Sequence, residues 1–167
     1  MTSEGQDGPP VHAAVRHLAA MVGVWKGQGA GEYPTIESFE YLEEVTIGHV
    51  GKPFLAYGQK TRDATTGLPL HAESGYFRPV GIDRMELTLA QPSGIVEIDE
   101  GTVAATDSGL EIVLSSLDVL TTTSAKEVTS VRRVIHVEGD ALRYTVEMGA
   151  VGQPHQHHLA ATLNRVS

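Results

Sequence analysis

Eight histidines are the residues in this chain best suited to chemistry: His12, His17, His49, His71, His136, His155, His157 and His158. Neutral imidazole binds transition metals readily. The chain has no cysteine and only four methionines, so few other soft ligands compete and thiolate-held iron–sulfur clusters are excluded. His155, His157 and His158 invite reading as a surface metal cluster. In a strand, however, His157 and His158 point to opposite sides of the sheet and cannot enter one cavity together. Leu159 and Leu163 share phase with His157, which favours His157 facing a core; phase alone leaves the choice open. His12 and His17 fall on or beside a short helical segment and are read as surface residues.

Other reactive groups are less well placed. Glu40, Glu43 and Glu44 form a carboxylate cluster, but alternation puts Glu40 and Glu44 on one strand face, which a solvated surface explains. Glycosidase-type carboxylate pairs find no support. Ser93-Gly94 and Ser115-Ser116 lack the context of a hydrolase elbow. No zinc-protease helix motif or calcium loop is present.

The 167 residues suit one domain with a core of reasonable size. A formal net charge of −9 argues against nucleic acid and anionic membrane as partners. The absence of cysteine suits a reducing compartment, and no signal peptide or membrane-spanning run is visible, so the expectation is cytoplasmic.

Residues 1–10 are polar and rich in Gly and Pro, and are expected to be a disordered tail. A barrel domain is expected over 11–167. Val11, Val15, Leu18 and Val22 share one face of a short helix. The rest alternates with period two between turn residues, which predicts strands at 22–31, 38–48, 54–62, 70–79, 84–91, 94–105, 109–116, 126–138, 141–150 and 157–166. Residues 117–125 read as a longer loop. A meander of about ten antiparallel strands without a crossover helix favours an all-β, up-and-down barrel of the lipocalin or fatty-acid-binding type, wide enough to hold a ligand.

Gly23-Val24-Trp25-Lys26-Gly27-Gln28-Gly29 has three glycines in a strand pattern. Glycine weakens strand pairing, so Gly23, Gly27 and Gly29 suggest a bent strand with another backbone close by. Trp25 is the only tryptophan and suits a plug at one barrel end, with its indole N–H needing a partner. An architectural role is the reading this motif favours.

That motif belongs to an ordered set: Tyr33-Pro34-Thr35-Ile36, Phe39-Glu40-Tyr41-Leu42-Glu43-Glu44, Gly51-Lys52-Pro53-Phe54, Leu70-His71-Ala72-Glu73-Ser74-Gly75-Tyr76, Gln91-Pro92-Ser93-Gly94, Lys126-Glu127-Val128-Thr129 and His158-Leu159-Ala160-Ala161. The set runs from about residue 20 to the end and resembles the nitrobindins, close to their mycobacterial members. These are haem proteins built on a ten-stranded antiparallel β-barrel. The resemblance implies one haem b per chain, with His158 rather than His157 as the axial iron ligand. It implies that Thr35, Leu70, His71, Gln91, Lys126 and Met148 lie around the haem. Lys126 would offset propionate charge. Ala160 is read on the same face as His158, leaving room for a flat macrocycle. His71 suits either a distal polar group or a hydrogen bond within the barrel wall.

The activity implied is isomerisation of peroxynitrite to nitrate at ferric iron, with reversible nitric oxide binding. Two alternatives stand beside it: a non-catalytic carrier of a small hydrophobic ligand, and a nitric oxide sensor or store. The reading leaves a homodimer open.

Overall fold

The computed structural model describes residues 8–167. Most of the expected N-terminal tail, residues 1–7, lies outside the described residues. Among the described residues ten strands form one closed antiparallel barrel, in which each strand pairs with its sequence neighbours and the first closes on the last. They are β1 (Gly23–Tyr33), β2 (Ile36–Gly48), β3 (Leu55–Asp63), β4 (Pro69–Val80), β5 (Arg84–Gln91), β6 (Ile95–Ala105), β7 (Gly109–Thr121), β8 (Val128–Glu138), β9 (Ala141–Ala150) and β10 (Gln156–Arg165). Closure leaves no sheet edge to template aggregation.

The helical segment is a 3-10 helix, Ala13–Met21, capped by the His12 Nδ1, which accepts the Ala14 N–H at 3.1 Å. Its buried residues are Val15, Leu18 and Met21. Their spacing of three aligns them on one face only at three residues per turn, so burial selects the tighter helix. Val11 and Val22 pack against the core from its edge. His17 is half-buried and its Nε2 has no partner among the described residues, unlike the surface residue expected.

This helix closes one end of the barrel. Trp25 is fully buried beneath it, and its Nε1–H donates to the Met21 carbonyl at 2.9 Å. The Arg165 guanidinium stacks 4.1 Å from the indole centre. Gly27 is needed for close approach: a Cβ there would strike the Thr162 carbonyl of β10.

The loop expected at 117–125 is shorter, because β7 continues to Thr121. Ile98 pairs with Asp118 and Asp99 with Ser116, so Leu117 bulges out of the ladder. A bulged residue shifts the alternation by one, which disguised the end of the strand.

Candidate functional site

The open end carries the turns after β1, β3, β5, β7 and β9. A cavity of about 500 Å³ enters there, within the range of small-molecule and cofactor sites. His158 reaches it from β10 because of a bulge. On β10, His157 pairs with Glu147 and Leu159 with Val146, so His158 is the extra residue between them. The phase therefore resets at His158. His157 is exposed on the outer wall, while His158 and Leu159 both line the cavity. The same reset moves Ala160 outward, where it lines a surface groove with Glu40 and His157, not the cavity expected for it.

The His158 ring is held on two sides. Its Nδ1–H donates to the Glu32 carbonyl of β1 at 3.1 Å. A carbonyl only accepts, so this contact fixes the proton on Nδ1 and leaves the Nε2 lone pair free. Tyr33 meets the ring edge-on, centroids 5.4 Å apart. The Tyr33 hydroxyl accepts from the Ala150 N–H at 2.8 Å and donates to the Met148 carbonyl at 3.1 Å, tying β1 to the end of β9. Burial lowers the His158 pKa, which the contact to the Glu32 carbonyl only partly opposes, so the neutral ring is favoured.

Met148, Val128, Val146 and Leu159 form the apolar wall near His158, and Ile36, Phe39 and Leu70 continue it. His71, Gln91 and Lys126 also line the cavity. Lys126 is exposed at the mouth. Thr35 sits in the β1–β2 turn, exposed, beside rather than among the lining residues. Outside this cavity lie Gly23, Trp25, Gly27 and Gly29, which belong to β1.

The cavity floor is a buried polar network that the sequence did not reveal. In β6 the polar phase faces inward: Glu97 and Asp99 are buried while Val96 and Ile98 are exposed. Arg133 of β8 gathers these carboxylates, with Nη2 3.0 Å from Glu97, Nη1 3.3 Å from Glu73 and Nε 3.6 Å from Asp99. Gln91 donates to Glu97 at 2.9 Å, and His71 Nε2 lies 3.3 Å from Glu73. His71 thus both lines the cavity and bonds within the wall. Glu43, read from sequence as part of a solvated cluster, is buried and accepts from Gln59 at 3.0 Å and from Tyr144 at 2.7 Å.

One arginine cannot balance four buried carboxylates. Burial pushes Glu43 up to about 7 despite its two hydrogen bonds. Burial together with Glu97 pushes Asp99 up to about 7. Burial acts on Glu73 in the same direction, but Arg133 and His71 outweigh it and hold Glu73 at about 2. The floor therefore keeps Glu73 ionised and favours protonated Glu43 and Asp99 through the acidic range.

A neutral imidazole with a free Nε2, apolar walls and a lysine at the rim are the donor set and lining that an iron porphyrin with two propionates requires. Comparison with known proteins agrees with that chemistry. The THAP4-like, heme-binding beta-barrel domain matches residues 14–165. Peroxynitrite isomerase 1 of Mycolicibacterium paratuberculosis is 55% identical over 93% of this chain and 96% of its own. The peroxynitrite isomerase of Nocardia farcinica is 46% identical over 98% of this chain and 97% of its own. The crystal structure of Rv2717c from M. tuberculosis superposes with a TM-score of 0.92 at 48% identity, covering 95% of this chain and all of that one. With its barrel, its ordered motifs and these matches in agreement, the chain belongs to the THAP4-like haem-binding β-barrel family.

Proposed function

We propose that this chain binds one haem b in the cavity at the open end, converts peroxynitrite to nitrate at ferric iron and binds nitric oxide reversibly. The observation that carries the reading is the fixed tautomer of His158, which leaves the Nε2 lone pair free in a cavity whose wall near His158 is apolar. Relatives named peroxynitrite isomerase across nearly the whole chain supply the reaction class.

In this reading His158 would hold the haem iron through Nε2, and Glu32 and Tyr33 hold its ring. When bound, ferric haem supplies an open coordination position and the redox capacity to break a peroxide bond. Peroxynitrite and nitrate contain the same atoms and charge, so the chain need not deliver a net proton. Its work is confinement. Val128, Val146, Met148 and Leu159 exclude water and keep the reacting pieces together. Leu70 covers the mouth. Lys126 would offset propionate charge there, with Thr35 of the β1–β2 turn as a polar contact. His71 and Gln91 offer polar groups to a bound ligand while anchored to Glu73 and Glu97.

A carboxylate carrier is disfavoured by the floor. Arg133 is already engaged by Glu73, Glu97 and Asp99, so it offers no uncompensated positive charge. The test is titration of the purified chain with ferric haem. A saturable Soret band at one haem per chain that shifts with nitric oxide supports the reading. Failure to form that band contradicts it.

A further inference from the structure

Below the polar floor lies a second, smaller cavity of about 40 Å³. Its walls are mostly apolar, Val45 and Ile47 of β2, Phe77 of β4, Leu87 of β5, Ile135 of β8, Leu142 of β9 and Met21 beneath, with the rings of Tyr57 and Tyr144 among them. Gln59, Glu73, Arg133, Val146 and Leu159 line both this chamber and the larger cavity, so they form the partition between the two.

Whether such a chamber holds water depends on its free polar groups. A buried water needs two to four partners. The polar side chains that line the chamber are engaged: Gln59 Nε2 with Glu43, Tyr57 and Arg133 with Glu73, Tyr144 with Glu43. Among the described residues two lining atoms remain unpartnered, Gln59 Oε1 and Arg133 Nε. The second is directed at Asp99, 3.6 Å away, which is not a lining residue. Water would therefore gain only the Gln59 Oε1 and the lone pair of the Tyr57 hydroxyl, short of the roughly three hydrogen bonds a buried water makes. The volume exceeds the roughly 10–15 Å³ that a single water needs, so size leaves room for a guest of one or two heavy atoms. A largely apolar cavity whose polar groups are mostly engaged favours apolar guests over water.

We infer that the inner chamber is a docking site for a small apolar gas of one or two heavy atoms, separated from the His158 cavity only by the Gln59–Glu73–Arg133–Val146–Leu159 partition. Nitric oxide belongs to that class, so the chamber would hold it next to the site proposed above. The gas site itself does not rest on the haem reading, because its walls contain no iron ligand.

The test uses xenon on the full iron-free chain, followed by methyl NMR, with nitrogen at equal pressure as control. The expected result is a saturable shift of the Val45, Ile47, Leu87, Ile135 and Leu142 methyls. Val45→Phe and, as a gentler filling, Ile135→Phe should each reduce xenon affinity by roughly tenfold or more, with the barrel spectrum retained. Shifts confined to Leu70, Val128 and Met148 would place the gas in the outer cavity and overturn the inference. So would an unresponsive inner chamber holding a long-lived water detected by cross-relaxation to these methyls. Because no haem is present, failure of xenon to bind leaves the haem reading intact. Failure of haem to bind leaves the gas site intact.

Discussion

The Nδ1–H of His158 donates to the backbone carbonyl of Glu32, across the seam where the first strand meets the last. A side-chain substitution at Glu32 cannot remove that acceptor, so the tautomer of His158 is written into the barrel's closure. Neighbouring His157, one residue earlier, faces solvent on the far side of the wall. His158→Ala should therefore abolish most haem affinity, whereas His157→Ala should keep it. Soret titration of both variants checks this. Equal retention would refute His158 as the ligand.

Tyr33 is expected to tune the site rather than form it. Tyr33→Phe keeps the ring against His158 but removes the hydroxyl that accepts from Ala150 and donates to Met148. Leaving the buried Ala150 N–H without its acceptor costs about 1–3 kcal/mol. Haem should still bind, with faster loss to a scavenging apoprotein. An unchanged rate of haem loss and unchanged stability would show that the tie between β1 and β9 is idle.

Trp25→Ala should cost roughly 3–5 kcal/mol, since a fully buried indole and its hydrogen bond to Met21 disappear together. The ring lies at the closed end, away from the residues around His158. Urea unfolding reads the loss. The Soret spectrum of the folded fraction should be unaltered, and a displaced band would mean that the closed end is coupled to the haem.

Glu43 makes stability depend on pH in a stated direction. Its pKa rises from 4.5 to about 7 on folding, so the folded chain holds this proton more tightly than the unfolded chain. Stability from this group is complete below about 4.5 and falls as pH rises to about 7. At 1.36 kcal/mol per unit the loss is roughly 3 kcal/mol. Asp99 acts in the same sense. Glu43→Gln keeps a neutral side chain at every pH, so denaturation of the iron-free variant should lose less stability than wild type between pH 5 and pH 8. Parallel pH profiles would contradict the assignment.

Much of the barrel was legible because most strands alternate plainly. Met85, Leu87 and Leu89 are buried as their spacing implies. Alternation fails at bulges. Leu117 hid the last residues of β7, and His158 reversed the phase that had favoured His157. The motif resemblance singled out His158 where periodicity did not. The polar floor stayed hidden for a different reason. Glu97 and Asp99 look like an outer face beside Val96 and Ile98, and only the barrel's closure around Arg133 makes their burial tolerable. Glu32 was invisible because its contribution is a backbone carbonyl, which no side chain announces.

The central claim is tested most directly by stopped-flow decay of peroxynitrite with haem-loaded wild type, haem-loaded His157→Ala and apoprotein, scored for nitrate yield and for nitration of free tyrosine. The account expects both haem-loaded proteins to speed decay, raise nitrate and spare tyrosine. Apoprotein should do neither, since the chain has no cysteine to scavenge in its place. Equal protection by apoprotein and haem-loaded protein would contradict the isomerase assignment. Haem-loaded protein that binds nitric oxide yet leaves peroxynitrite decay unchanged would contradict it as well, and would favour a sensor or store.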